Sequence, residues 1–296
     1  LGRQDRGAAE VYWRRRLAGF GAPTALPVEE VVGREAVEGP QPVEGVWLEA
    51  GLTAGLQRLA REQRLTLSTV VQGAWALLLG RTSGEDEVVF GATVSGRPAD
   101  LPGVERMVGL FINTVPVRVG VPEEASVSSW LAELQTAQGE LRQHEHTPLV
   151  QIREWSEVAA GQALFESVVV FENYPVSEAL QRGREELRVR EVRGGSRTNV
   201  PLLLVVVPGE ELRLDLVYDE RRFGARTVRR MLEQLHRVLR RMVEEPEGAV
   251  GRISLLGEEE RRWLAGLPRE IRLDWGAGEV LVVHGSPLGE EDYLYP

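Results

Sequence analysis

The sequence predicts a mixed α/β fold, in which helices and strands alternate along the chain. Short runs rich in valine, leucine and aromatic residues, bounded by glycine or proline, indicate strands, whereas apolar residues at three- and four-residue spacing indicate helices. Two such strand runs flank Pro208-Gly209-Glu210, a turn sequence that predicts a hairpin. Hairpins within a mixed sheet favour an α/β sandwich over a doubly wound nucleotide-binding fold. The 296 residues suffice for one large α/β domain or two ordinary ones.

Helical spacing of apolar residues occurs in residues 7–20, 52–64, 68–79, 127–141 and 227–243. The first of these helices ends at glycine, and the second places Leu52, Leu56 and Leu59 on one side. The third is apolar nearly all round, which is typical of a helix buried between layers. Ser68 is its predicted N-cap and Gly80 its stop. The last two each carry a single apolar stripe, which predicts amphipathic helices.

Strands are predicted over residues 45–50, 88–94, 111–119, 165–171, 200–207 and 211–218. In the last of these, leucines and Tyr218 alternate with charged residues, so that one face is apolar. Pro116 lies inside the strand over residues 111–119 and lacks the N–H that an interior ladder needs. This strand is therefore expected at an edge of the sheet or at a bulge.

The composition excludes several kinds of chemistry. The chain has no cysteine, which removes disulfides, thiolate metal sites and a cysteine nucleophile. It also has no lysine, so Schiff-base and lysine-nucleophile mechanisms are excluded. The 35 basic and 45 acidic residues give a net charge of −10, which disfavours binding to nucleic acid because phosphate contacts need a basic face.

The sequence indicates neither a membrane-spanning segment nor a signal peptide for secretion. No apolar run approaches the roughly 20 residues that span a bilayer, and the N-terminus lacks the basic–apolar–small pattern of a signal peptide. A cytoplasmic location is expected by default. The chain begins at Leu1, in arginine-rich helical sequence, and we expect it to be a fragment of a longer protein.

Residues 107–118 form the most informative stretch of the chain, because Asn113, Thr114 and Arg118 lie among apolar residues soon after Gly109. This stretch resembles the glycine–aromatic–x–asparagine–threonine core motif of condensation domains, the peptide-bond-forming modules of nonribosomal peptide synthetases. Further stretches are similar to motifs of the same family, in the same order: residues 12–19, 67–75, 89–98, 144–149, 165–175 and 197–202. The resemblance extends from about residue 7 to residue 263.

This resemblance implies a chloramphenicol acetyltransferase-like α/β sandwich, in which two similar halves face each other across a tunnel. The family joins a carrier-bound acyl or peptidyl thioester to the amine of a second carrier-bound thioester. It uses a His-His-x-x-x-Asp-Gly motif in the N-terminal half, whereas this chain has four histidines and no adjacent pair. We therefore interpret residues 1–263 as the C-terminal half of a condensation domain, and we expect it to be inactive alone.

The partners that the resemblance implies are carrier-protein domains, an adenylation domain and the missing N-terminal half. No cofactor is expected to bind directly, because the substrates would arrive as phosphopantetheine-linked thioesters on the carriers. An alternative from a different class is a non-catalytic docking module for carrier or adenylation domains.

The candidate substrate-tunnel residues are Phe111, Asn113, Thr114 and Arg197. Strand alternation places Phe111 and Asn113 on one face and Thr114 on the other. An unpaired amide among apolar groups costs about 1–3 kcal/mol, so Asn113 needs either a fixed hydrogen-bond partner or a position facing the tunnel. Both interpretations stay open: a tie between strand and loop, or a tunnel-lining residue. Arg118 is expected to be a structural ion-pair partner.

The histidines do not predict a metal centre. His144 and His146 have the spacing of a metal-binding pair, but a third ligand at matching spacing is missing from the sequence. The interpretation we favour places them near the end of a helix, where a histidine interacts favourably with the helix dipole. His236 is expected only to pack beside the apolar stripe of its helix.

Residues 264–296 depart from the condensation-domain pattern and are treated as an atypical tail. The runs over residues 271–275 and 279–283 predict a hairpin. The segment around His284 resembles the late histidine–glycine element of calcineurin-like metallophosphoesterases, but the other elements of that family are missing from the sequence. His284 is the one candidate ligand there, no metal site is predicted, and a spliced or chimeric end is favoured over a remnant second enzyme.

Overall fold

The computed structural model describes residues 6–27, 39–97, 103–109, 111–172 and 198–267, together with the backbone of residues 270–274 and 279–283. The chain divides into two compact units, Leu1–Leu255 and Leu256–Pro296. The predicted division after residue 263 stays a prediction.

The first unit contains the helices α1 (Arg6–Arg16), α2 (Ala50–Glu62), α3 (Leu67–Ser83), α4 (Val127–Arg142), α5 (Leu149–Glu154) and α6 (Ala225–Glu244). The predicted end of α1 was four residues too late, because the backbone turns after Arg16 and Gly19 adopts a left-handed φ of 75°. Helix α5 was not predicted, since six residues are too few to display helical periodicity.

The strands of this unit are β1 (Val43–Trp47), β2 (Glu87–Val94), β3 (Asn113–Gly120), β4 (Ser167–Phe171), β5 (Leu202–Val207) and β6 (Arg213–Tyr218). In the described part of the chain they form a six-stranded sheet in the order β1-β6-β5-β4-β2-β3. Strand β4 is parallel to both β2 and β5, and the remaining neighbours are antiparallel. The predicted mixed α/β fold and the β5–β6 hairpin are confirmed.

Strand β3 occupies an edge of the sheet, as Pro116 predicted. Its only sheet neighbour in the described residues is β2, with Pro116 opposite Gly91. Strand β1 occupies the other edge and runs from Val43 to Trp47, so its predicted range of 45–50 was displaced toward the C-terminus. The chain turns into α2 at Ala50, which ends the extended segment earlier than predicted.

Helix α3 is the centre of the hydrophobic core. All residues from Thr69 to Gly80 are buried, which confirms the prediction of a helix enclosed on all sides. The predicted ends were wrong: Thr66 is the N-cap, with its side chain accepting a hydrogen bond from the Thr69 amide, and Gly84 ends the helix at φ 74°. Gly80 lies inside the helix, where the absence of a Cβ admits the Glu85 carbonyl oxygen.

Helices α2, α3 and α6 pack together, and α3 and α6 also contact the sheet. The indole of Trp75 on α3 donates a hydrogen bond to the Ser167 hydroxyl on β4 over 3.3 Å. Alternate residues of the hairpin strands are fully buried: Leu202, Leu204, Val206, Leu214 and Leu216. The period-two pattern of β5 and β6 therefore places one apolar face in the core.

The second unit contains helix α7 (Glu258–Ala265) and the antiparallel strands β7 (Glu270–Asp274) and β8 (Glu279–Val283). The predicted tail hairpin is thus confirmed, whereas His284 lies outside the described residues. In the described ranges, none of the helices combines the length and apolar character that crossing a bilayer requires.

Replacing Thr53 with valine is expected to destabilise the first unit by about 1–3 kcal/mol. The buried Thr53 hydroxyl donates to the Leu48 carbonyl oxygen over 3.3 Å and accepts from the Leu212 amide over 3.0 Å. Valine would leave both backbone groups without this partner. Urea unfolding measures the change, and Thr136→Val, on the exposed face of α4, is the matched control. Equal effects of the two substitutions would contradict the bridging role of Thr53.

Candidate functional site

One edge of the sheet gathers several of the predicted site residues. Because β2 and β4 are parallel and β3 is antiparallel to β2, the carboxyl ends of β2 and β4 lie at the same edge as the amino end of β3. Ligand sites in open α/β sheets commonly lie outside the carboxyl ends of strands. The loop between α4 and α5 also reaches this edge. We call its central residues the strand-end junction: Gly96, Arg97, Phe111, Asn113 and Glu145.

The side-chain amide of Asn113 ties β3 to the α4–α5 loop. Its Nδ2 donates one hydrogen bond to the Glu145 carbonyl oxygen over 2.7 Å and a second to the Thr147 carbonyl oxygen over 2.8 Å. Both donors of a half-buried amide are therefore satisfied by the backbone. The strand-to-loop interpretation is confirmed, and the tunnel-lining role of Asn113 stays a prediction.

Gly96, just beyond β2, lies against the backbone of Phe111. It has a left-handed φ of 59°, and a Cβ at this position would come within 1.9 Å of the Phe111 carbonyl oxygen. Only glycine fits such a conformation and such a close approach. Phe111 and Ile112 precede the first residue of β3, so the predicted strand began two residues too early and the alternation argument does not apply to Phe111.

Arg97 contacts the chain before β3 in two ways, through its N–H groups and through the face of its guanidinium. Its guanidinium carbon lies 4.3 Å from the centroid of the Phe111 ring, a cation–π contact. Its Nη1 donates to the carbonyl oxygens of Val104 and Met107. One side chain thus joins residues on both sides of Gly109.

Glu145 places a carboxyl group within the strand-end junction. The carboxylate accepts a hydrogen bond from the Gly96 amide, while the main chain of Glu145 accepts from Asn113. Burial raises the pKa of Glu145 above its ordinary value, against the opposing effects of the Arg142 charge and of the Gly96 hydrogen bond. The junction therefore contains a half-buried acid that touches the ends of two strands.

The other predicted tunnel residues are not part of the junction. Thr114 pairs with Thr93 in the β2–β3 ladder, on the opposite face of the strand from Asn113. Arg197 lies outside the described residues. Arg118 forms an ion pair with Glu87 and donates to the Ala18 carbonyl oxygen over 2.6 Å, which confirms its structural role.

The histidines take up structural contacts. His144 stacks on Tyr12 with ring centroids 4.3 Å apart and planes inclined by 23°. Burial, followed by the nearby charge of Arg15, lowers the pKa of His144 below its ordinary value, which favours the neutral ring. The prediction that His236 only packs beside the apolar stripe of its helix was wrong. Its Nε2 lies 3.1 Å from a carboxylate oxygen of Glu49. Within the described residues, no three histidine or carboxylate side chains cluster as metal ligands would.

A groove of about 770 Å³ lies at the other end of β3, beside Arg16, Glu87, Arg118 and Trp130. Several polar groups in its wall are already paired. The Trp130 indole donates to the Gly120 carbonyl oxygen over 2.7 Å, and Arg16 donates to the Arg118 carbonyl oxygen over 2.5 Å. We therefore place the candidate site at the strand-end junction and not in this groove.

Sequence reasoning did not single out Arg97 or Glu145. Arg97 lies in the sequence Ser-Gly-Arg-Pro, and a charged residue between glycine and proline is the one local signal for it. Glu145 lies between two histidines and shows no comparable pattern. The partner that joins it to β3 is 32 residues away in the chain, a distance that no local periodicity encodes.

The comparison with known families decides the identity of this fold. A family model for the condensation domain matches residues 1–265. The chain belongs to the condensation-domain family. Nothing in the comparisons supports the metallophosphoesterase resemblance of the tail.

Relatives of this condensation-domain chain are components of large synthetases. One component of the linear gramicidin synthase of Brevibacillus parabrevis is 46% identical over 280 residues, which cover 94% of this chain and 4% of that protein. Chondramide synthase cmdD of Chondromyces crocatus is 43% identical over 294 residues, which cover 99% of this chain and 7% of that protein. The chain therefore spans only a small part of the length of the curated relatives it matches.

Solved structures with the same fold include a nonribosomal peptide synthetase and a condensation domain of another synthetase. A four-domain nonribosomal peptide synthetase matches with a TM-score of 0.72 and 17% identity, over 88% of this chain and 21% of that one. The first condensation domain of the calcium-dependent antibiotic synthetase matches with a TM-score of 0.64 and 20% identity, over 85% of this chain and 54% of that one. These likenesses confirm the predicted chloramphenicol acetyltransferase-like fold.

Replacing Asn113 with alanine is expected to lower the free energy of unfolding by about 1–3 kcal/mol, because two donors to the α4–α5 loop are lost. Aspartate should cost more, since its carboxylate oxygens would face two carbonyl oxygens. Urea unfolding measures both changes, and Asn199, which is exposed, supplies the matched alanine and aspartate controls. An Asn113→Asp protein as stable as Asn113→Ala would contradict the geometry described for this amide.

Replacing Glu145 with glutamine is expected to remove a pH dependence of stability. Because burial raises the pKa of Glu145 in the folded state, its protonated form stabilises the fold below the unfolded pKa, and this contribution is lost as the pH rises through the folded pKa. Glutamine can still accept from the Gly96 amide. At pH 7 the variant should therefore be more stable than the parent by a few tenths of a kcal/mol, since solvent screens a half-buried charge.

This advantage should disappear near pH 4, where the parent carboxyl is protonated. Urea unfolding at the two pH values measures it, with Glu154→Gln on the exposed surface of α5 as the control. A Glu145→Gln protein that loses stability at pH 7 would show that the ionised carboxylate stabilises the junction.

Proposed function

We propose that this chain is the C-terminal, acceptor-side part of a condensation domain that forms amide bonds between carrier-bound thioesters. Residues 1–263 would form this part, and residues 264–296 an atypical tail. The single observation that carries the proposal is the condensation-domain match over residues 1–265. The 54% coverage of a solved condensation domain also supports the view that a second half completes the site.

In the proposed reaction, the amine of an aminoacyl thioester attacks the carbonyl carbon of an acyl or peptidyl thioester. A C–N bond forms and a C–S bond breaks, and the proton lost by the amine ends on the released pantetheine thiol. General-base assistance to such an attack requires a group whose pKa lies near the working pH and which reaches the amine. In the family, a histidine motif in the N-terminal half orients or deprotonates the amine, so this chain would contribute substrate positioning.

The strand-end junction is the part of this chain that we assign to positioning. Asn113 fixes the start of β3 against the α4–α5 loop, and Phe111 lies directly before that strand. Thr114 and Arg197 remain candidates for the tunnel wall. The carriers would deliver the substrates on phosphopantetheine, with an adenylation domain as a further partner, in the cytoplasm.

The proposal is tested by combining this chain with a separately expressed N-terminal half that carries the His-His-x-x-x-Asp-Gly motif. Amide product from two carrier-bound thioesters is measured by mass spectrometry for the chain alone, for both halves, and for both halves with the second histidine of the motif replaced by alanine. We expect product only from the two intact halves. Turnover by this chain alone would contradict its assignment as the non-catalytic part.

The docking alternative gives a different result in the same experiment. A docking module would bind carrier or adenylation domains with the same affinity whether the chain is alone, is combined with the N-terminal half, or is combined with the histidine variant of that half. It would not restore amide formation to the N-terminal half. The observation that favours this alternative is that the sequence has no two adjacent histidines.

A further inference from the structure

We propose that Arg97 is a positioning residue of the amide-forming site. It would hold residues 103–109 and Phe111 so that Phe111 and the start of β3 have fixed places at the edge of the sheet. Its effect on catalysis rests on the proposed function, whereas its geometric role does not.

The guanidinium of Arg97 lies at the end of a short helical turn over Val104–Arg106. The Met107 amide closes this turn by donating to the Val104 carbonyl oxygen over 3.2 Å. Arg97 donates from Nη1 to that same oxygen and to the Met107 carbonyl oxygen. A cation at the carboxyl end of a helical turn interacts favourably with the carbonyl groups exposed there.

The face of the same guanidinium lies on the Phe111 ring, 4.3 Å from its centroid. Arg97 therefore connects the beginning of the segment, at Val104, with its end, at Phe111. A lysine could donate to one carbonyl oxygen but has no planar group to stack on the ring. The contact thus depends on the shape of the arginine as well as on its charge.

The segment held by Arg97 has one buried anchor and several exposed apolar side chains. Val104 is buried, whereas Met107, Val108 and Ile112 are exposed. Exposed apolar side chains that lie together on a protein surface are typical of sites that bind a partner or a ligand. Such side chains can bind in a specific way only if the backbone that carries them has one conformation. Since Arg97 makes the side-chain contacts that span this segment, its loss should release the backbone between Val104 and Phe111.

Three variants separate positioning from folding: Arg97→Ala, Arg97→Lys and the control Arg106→Ala, whose side chain is exposed on the same turn. In the two-half domain, we expect kcat/KM for amide formation to fall about tenfold in Arg97→Ala and about threefold in Arg97→Lys. Millimolar methylguanidinium should restore most of the rate of Arg97→Ala and leave Arg106→Ala unchanged. A parental rate in Arg97→Ala, or a loss that methylguanidinium does not restore, would overturn the proposal.

Hydrogen exchange on this chain alone tests the geometry without any assumption about activity. The Met107 amide should exchange about tenfold faster in Arg97→Ala than in the parent or in Arg106→Ala, and methylguanidinium should reverse the change. If the parental halves together form no amide, the proposed function fails while this measurement still decides the role of Arg97. Equal exchange rates in Arg97→Ala and the parent would refute that role.

Discussion

The amide of Asn113 has two N–H donors that need acceptors at the end of an edge strand. Both are satisfied by carbonyl oxygens of the α4–α5 loop, so the loop is fixed where β3 begins. This placement brings the Glu145 carboxylate to the Gly96 amide at the end of β2. A single hydrogen-bonding requirement therefore joins the α4–α5 loop to the ends of β2 and β3, which the sheet ladder already holds together.

The arrangement also explains why this edge contains glycine and arginine side by side. Gly96 approaches the Phe111 carbonyl oxygen too closely for any side chain, and Arg97 then covers the Phe111 ring. Both features fix the backbone that leads into β3. Part of the stretch that resembles the family's core motif thus has structural contacts in this chain, since Asn113 ties the start of an edge strand to a neighbouring loop.

Much of the fold could be predicted because it follows from local patterns. Pro116 predicted the edge position of β3, and the apolar character of α3 predicted its burial on all sides. The helix ends were harder, since Ser68 and Thr66 are both capable N-caps and only the backbone conformation selects Thr66. The contacts of the site could not be predicted in the same way. The sequence left open whether Asn113 has a fixed partner or faces the tunnel, and the carbonyl groups that it contacts belong to a loop about 32 residues away in the chain.

Membership of the condensation-domain family and catalytic competence are separate questions for this chain. The family match covers most of the sequence, yet the four histidines include no adjacent pair. Those in the described residues serve other contacts, such as the stacking of His144 on Tyr12. If the proposed function is right, this chain would contribute a set of fixed backbone positions at one edge of the sheet, and a catalytic half would have to be added to them.

The most direct test of this account is the exchange of the Asn113 side-chain amide protons, measured by NMR on protein labelled with ¹⁵N. Both protons should be protected from solvent, because both are bonded to backbone carbonyl oxygens, whereas those of the exposed Asn199 should exchange freely. Exchange of the Asn113 protons as fast as those of Asn199 would contradict the claim that this amide ties the edge strand to the loop.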